Sequence, residues 1–199
     1  MSRRARVFIC LVLMIAAALP APIARAESAA RAFDLAQLMA HFGTVKSGSA
    51  RFTERRYLHV LNTPLDDSGV LIYEAPDKLQ KQTLQPNQQN MVVEGDTVTV
   101  TGEGKTQTLS LADYPQIGAF IEGIRATLAG DAPTLQRIYT TQLSGNLDVW
   151  TLTLVPRDAA MQAIVKSITI SGNDARIRQV QTAEHDGDHT DMMIVEGDR

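Results

Sequence analysis

The chain of 199 residues has little of what usually betrays a function. It holds one cysteine, Cys10, one tryptophan, Trp150, and only 5% aromatic residues. Cys10 sits in an apolar run close to the N-terminus, so no disulfide can staple the rest of the fold, and its stability must come from a core. Beyond that run no stretch reaches the roughly 20 apolar residues of a membrane-spanning helix. There is no Gly-x-Ser-x-Gly, no Gly-rich phosphate loop and no cysteine nucleophile after residue 26. The chain is therefore read as non-enzymatic, with no cofactor and no metal expected. Basic charge is scarce as well. Four of the 19 basic residues (Arg3, Arg4, Arg6, Arg25) and none of the 22 acidic ones precede residue 27, so the remainder carries a net charge of −7. That sign suits neither nucleic acid nor an anionic membrane surface, both of which call for basic patches.

What is present first is an export signal. Arg3, Arg4 and Arg6 precede the apolar run Val7 to Leu19, Pro20 and Pro22 end any helix there, and Ala24-Arg25-Ala26 offers small residues at a cleavage site. The expected division is residues 1–26 as a cleaved signal peptide and residues 27–199 as one periplasmic domain of a Gram-negative bacterium, expected to be monomeric.

Hydrophobic period then sets the elements. Leu35, Leu38, Met39, Phe42 and Val45 predict a helix over Phe33 to Lys46. The period changes to two in Ser49 to His59, Val70 to Tyr73, Leu79 to Leu84, Met91 to Val93, Thr97 to Thr101 and Gln107 to Leu111. A second helix is capped by Asp113, has Pro115 in its first turn, shows an apolar face of Ile117, Phe120, Ile121, Ile124 and Leu128, and closes at Gly130. A turn at Pro133 to Arg137 leads to five further strands, among them Val149 to Val155, where Trp150, Leu152 and Leu154 share one face. About ten or eleven strands joined by short turns form an antiparallel meander, which must curl. Two or three amphipathic helices can bury their stripes only on its concave face. The predicted class is mainly β with some helix: an unclosed antiparallel barrel with a helical lid over a hydrophobic cavity.

Alternation assigns Leu71, Tyr73, Leu79, Met91, Val93, Val98, Trp150, Leu152 and Leu154 to the cavity, with Ile117, Phe120, Ile121 and Ile124 from the lid. Lys81 shares the face of Leu79 and stands at the rim, where an ammonium suits an anionic headgroup; its alternative is a lysine reaching into water. Asp66-Asp67 before Ser68-Gly69 read as turn chemistry. His185-Asp186-Gly187-Asp188-His189 reads as a hairpin turn on Asp-Gly, with a metal-dependent hydrolase on His185 and His189 as the competing reading.

In order and spacing, Ser49-Ala50-Arg51-Phe52-Thr53-Glu54, the segment Ser68 to Leu79, Val92 to Asp96, Trp150 to Pro156 and Ile168-Thr169-Ile170 resemble the periplasmic outer-membrane lipoprotein carrier (LolA-like) family over nearly all of residues 27–199, in a divergent branch. The resemblance implies an unclosed barrel with a helical lid. It also implies a non-enzymatic carrier that takes acylated cargo, a lipoprotein or an acylated small molecule or glycolipid, from an inner-membrane donor to an outer-membrane acceptor. A lipid- or lipoprotein-sensing module of the envelope is the alternative. Ala75 stands where the best-known carriers have an arginine that ties the lid shut, and Lys81 where they tend to have an inward tryptophan.

Overall fold

A computed structural model describes residues 33–196; the expected signal peptide lies outside them. Among the described residues no helix is long and apolar enough to cross a membrane. The chain opens with α1, Leu35–Phe42. Asp34 and Gln37 form a reciprocal capping box at its start, with Asp34 Oδ1 accepting the Gln37 N–H at 2.8 Å. It stops earlier than the apolar period predicts. Gly43 ends it, and the Thr44 hydroxyl and the Lys46 ammonium bond the carbonyls of His41 and Gly43, turning the chain into the sheet.

Six strands follow: β1 (Ser47–Tyr57), β2 (Leu65–Glu74), β3 (Lys78–Gln85), β4 (Gln89–Glu94), β5 (Thr97–Gly102) and β6 (Lys105–Ser110). β2 begins five residues before the apolar run that announces it. Asp66 and Asp67, expected in a turn, lie within the strand because Arg55 and Arg56 of β1 hold them, at 2.6 and 2.8 Å.

A 3-10 turn at Leu111–Asp113 leads into α2, Pro115–Ala129. Asp113 belongs to that turn and does not cap the helix; Tyr114 is the N-cap, without a side-chain bond. Pro115 fits the first turn as expected, and Gly130 closes the helix at φ 73°, a left-handed conformation natural to glycine. Residues 133–137 form no turn. They lie in α3, Ala132–Ile138, started by Asp131, whose carboxylate accepts the Thr134 N–H at 3.0 Å, and Pro133 is at home in a first turn.

The second half runs β7 (Tyr139–Asn146), β8 (Val149–Pro156), a short α4 (Ala159–Gln162), β9 (Val165–Asn173), β10 (Arg176–Glu184) and β11 (His189–Glu196). All eleven strands form one antiparallel sheet in the order β6-β5-β4-β3-β2-β1-β11-β10-β9-β8-β7. It is not closed: β6 and β7 are its two edges, and the two meanders join only where β1 pairs β11. Among the described residues, eleven strands agree with the sequence count, and four helices exceed it. α3 was hidden by Pro133, and α4 is only one turn long.

Candidate functional site

Register fixes which side chains share the helix-bearing face. Ala50, Phe52, Glu54 and Arg56 alternate on β1. Across β2 their partners and neighbours on that face are Leu71, Gly69 and Asp67. The face continues through Lys81 and Leu79 of β3, Met91 and Val93 of β4, and Val100 and Val98 of β5. In the other direction it runs through Ile194 and Met192 of β11, Val180 of β10, Ile170 of β9 and Leu152 of β8.

Helices cover the two flanks of this face and build two separate cores. In one, Trp150, Leu152 and Leu154 are fully or almost fully buried against Leu38, Phe42 and Leu135, with Phe42 edge-on to the Trp150 ring at 5.7 Å. The Trp150 indole N–H donates to the Asp174 carbonyl at 2.8 Å. In the other, Val93, Val98 and Ile121 are buried with Leu111, and Leu79 and Met91 pack against them half-buried. Phe120 touches both cores. Tyr73 is buried, its hydroxyl meets no partner, and burial raises its pKa. Ile124 is half-buried, whereas Ile117 is 44% exposed.

Between the cores lies a strip that neither includes. Around the buried Phe52, Ala50 of β1, Leu71 of β2, and Met192 and Ile194 of β11 are half-exposed on the middle strands. Of these the sequence reading singled out only Leu71. The expected cavity residues thus divide: Trp150, Leu152 and Leu154 lie in a packed core, Leu79 and Met91 pack half-buried against the other, and Leu71 lies in the strip. A shallow hollow of about 280 Å³ lies on the opposite face, with Arg51, Val70, Leu84, Met193 and Val195 in its wall.

Two ion pairs mark the polar end of the strip. Lys81 Nζ meets Glu54 Oε2 at 2.5 Å and lies 5.0 Å from the centroid of the Phe52 ring. Glu54 is 8% exposed and Lys81 23%. Arg56 bonds Asp67 at 2.8 Å. Lys81 is therefore on the inner face as expected, but its charge is matched by a carboxylate that the sequence reading passed over. The signal was there: Ala50, Phe52 and Glu54 alternate, which puts Glu54 on the core side of β1. The lid has a tether of its own. Arg125 of α2 donates from Nε to the carbonyl of Asp77, in the β2–β3 turn, at 2.9 Å. The turn of Ala75 and Pro76, which has no arginine, is reached from the helix instead.

The His185-to-His189 segment is the β10–β11 turn, with Gly187 at φ 99°. Neither His185 nor His189 is the imidazole that lies with the acids of this turn. His189 stacks on Tyr57 at 4.3 Å, and the imidazole that joins the acids is His59, from beyond the end of β1. Its Nδ1 lies 2.7 Å from Asp188 Oδ1, and its backbone N–H bonds the same atom. The Asp188 hydrogen bond raises the His59 pKa, while bonds from His59 lower that of Asp188. Burial, then Asp186 and Asp188, raise the pKa of Glu184. Asp186 takes the Asp188 N–H at 3.0 Å within the turn, while Asp188 stitches the turn to the segment after β1.

The architecture defines a class: unclosed antiparallel barrels with helices laid across one face. The chain belongs to the outer membrane lipoprotein carrier protein LolA-like family, whose model matches residues 26–197. Among solved structures it is similar to a LolA superfamily protein from Nitrosomonas europaea (10% identity, 81% of this chain and 93% of that one, TM-score 0.39). It is also similar to a putative outer membrane lipoprotein-sorting protein domain from Vibrio parahaemolyticus (11%, 80% and 88%, 0.41) and to the lipoprotein LppX of Mycobacterium tuberculosis (10%, 79% and 92%, 0.37). No curated protein matches it in sequence.

Proposed function

We propose that this chain is a periplasmic carrier that shields the acyl chains of a lipoprotein, acylated small molecule or glycolipid between an inner-membrane donor and an outer-membrane acceptor. Residues 1–26 serve as its signal peptide, and it works as a monomer without covalent chemistry. The observation that carries this reading is the half-exposed apolar strip of Ala50, Leu71, Met192 and Ile194, open between two packed cores on the helix-bearing face. Each acyl methylene hidden there is worth about 0.8 kcal/mol, so a strip of this kind is enough for reversible transport. Membership of the LolA-like family supports the same reading. The test is native mass spectrometry of protein purified from the periplasm, paired with titration by a fluorescent acyl ester. An acylated molecule retained in the first and saturable binding in the second are expected. Empty protein that also ignores the probe would refute the carrier.

A further inference from the structure

An apolar strip that only hid hydrocarbon would have no use for an ion pair at its edge, yet Glu54 and Lys81 meet there. They come from β1 and β3, with β2 between them. Between them on β2 lies Gly69, the partner of both Phe52 and Thr83. A Cβ at Gly69 would collide with the Gln82 carbonyl and stand 3.0 Å from the Phe52 ring, so glycine is what this position beside Phe52 accepts. The ammonium rests over the Phe52 ring. Leu71 and Met91 flank Lys81, and Met192 flanks Glu54 on one side, with Asp67 opposite it on the other. One step along β1, Arg56 is matched in turn by Asp67. The charges on this part of the inner face therefore come in balanced couples.

A balanced, largely desolvated couple discriminates by charge. A carboxylate or phosphate drawn to Lys81 would leave Glu54, nearly buried, facing a second anion, and a cationic head would strand Lys81 in the same way. Separating such a pair costs far more than the pair contributes while intact. An ester carbonyl can accept from Lys81, an amide or a sugar hydroxyl can bond either partner, and each leaves the couple closed. We infer that the strip selects acyl chains carried on uncharged heads, as acyl esters, acyl amides or acylated sugars, over free fatty acids and anionic lipids, with Glu54–Lys81 as the selecting element. This rests on the carrier reading above and names its cargo class.

The experiment uses delipidated periplasmic protein and one fluorescent fatty acyl chain in two forms, the ionised free acid and its glycerol monoester, each below its micelle concentration. The wild type is expected to bind the ester at least about tenfold more tightly than the acid, a difference of about 1.4 kcal/mol. Glu54→Gln, which leaves Lys81 uncompensated, should bring the acid level with the ester or ahead of it. The double variant Glu54→Gln/Lys81→Met, which strands no charge, should keep ester binding and lose most of the preference, and circular dichroism checks that each variant folds. Equal binding of both probes by the wild type, or an unchanged ratio in the two variants, overturns this inference alone. Binding of neither probe overturns it together with the carrier reading.

Discussion

At the scale of single residues, the side chains that hold the molecule and those that face its strip are different. Trp150 is completely buried and has its indole N–H satisfied, so Trp150→Ala removes a large volume and strands the Asp174 carbonyl. It should cost about 3–5 kcal/mol in a denaturant titration. His59 and Asp188 act on pH. The folded protein raises the His59 pKa, so its contribution is full below the ordinary imidazole value of about 6.5 and fades as pH climbs through the raised value. Asp188 has the opposite sign: its pKa is lowered, so its share is present above the ordinary carboxylate range and is lost on acidification. Asp188→Asn should bring the His59 titration, followed by NMR, back toward the ordinary value and should destabilise the hairpin more in mildly acidic buffer than in alkaline buffer. An unmoved titration would show that the contact does not set this pKa. These partners were hard to read in the sequence because they lie 129 positions apart. Local spacing favoured His185 and His189, which are near Asp188 in the chain.

At the scale of elements, alternation and caps made most of the fold legible. Thr97 to Thr101 alternates strictly and is a strand, and Gly130 ends α2 as its position suggested. Legibility failed where tertiary partners override local character. Asp66-Asp67 is turn-like in isolation and becomes strand once Arg55 and Arg56 lie opposite, and Pro133 breaks a helix only if it is not in the first turn. The inner face was legible in part, since alternation marks a face but does not say which flank a helix will cover. The lid makes its own prediction. α2 is held to the β2–β3 turn by Arg125, so Arg125→Met should speed hydrogen exchange across Pro115–Ala129 by roughly ten- to a hundredfold, in keeping with the loss of a charge-assisted bond worth about 1.5–3 kcal/mol, and leave β8 protected. Half a turn away, α2 packs closely on the first residue of β7. A Cβ at Gly123 would run into the Tyr139 ring, and Gly123→Ala should cost about 1–3 kcal/mol in thermal melts through overpacking.

At the scale of the whole molecule, two meanders share one sheet. If an acyl ester occupies the strip between the two cores, it binds only the folded state, and saturation at a hundred times Kd should add about 2.7 kcal/mol, seen as a concentration-dependent rise in Tm. The seam between the meanders has a consequence of another kind. Every pairing in the sheet joins strands adjacent in the chain except β1 with β11, which sets Ala50 against Glu196 and Tyr57 against His189. Hairpins close early and cheaply, whereas a contact spanning most of the chain must wait for its loop entropy to be met. Ile194→Ala in the seam should therefore quicken unfolding and barely slow folding, with Val98→Ala in the β4–β5 hairpin doing the reverse. Because synthesis runs from the N-terminus, β1 stands with one ladder unfilled until residues 189–196 arrive, and β11 is the strand that locks the two halves into a single cooperative unit.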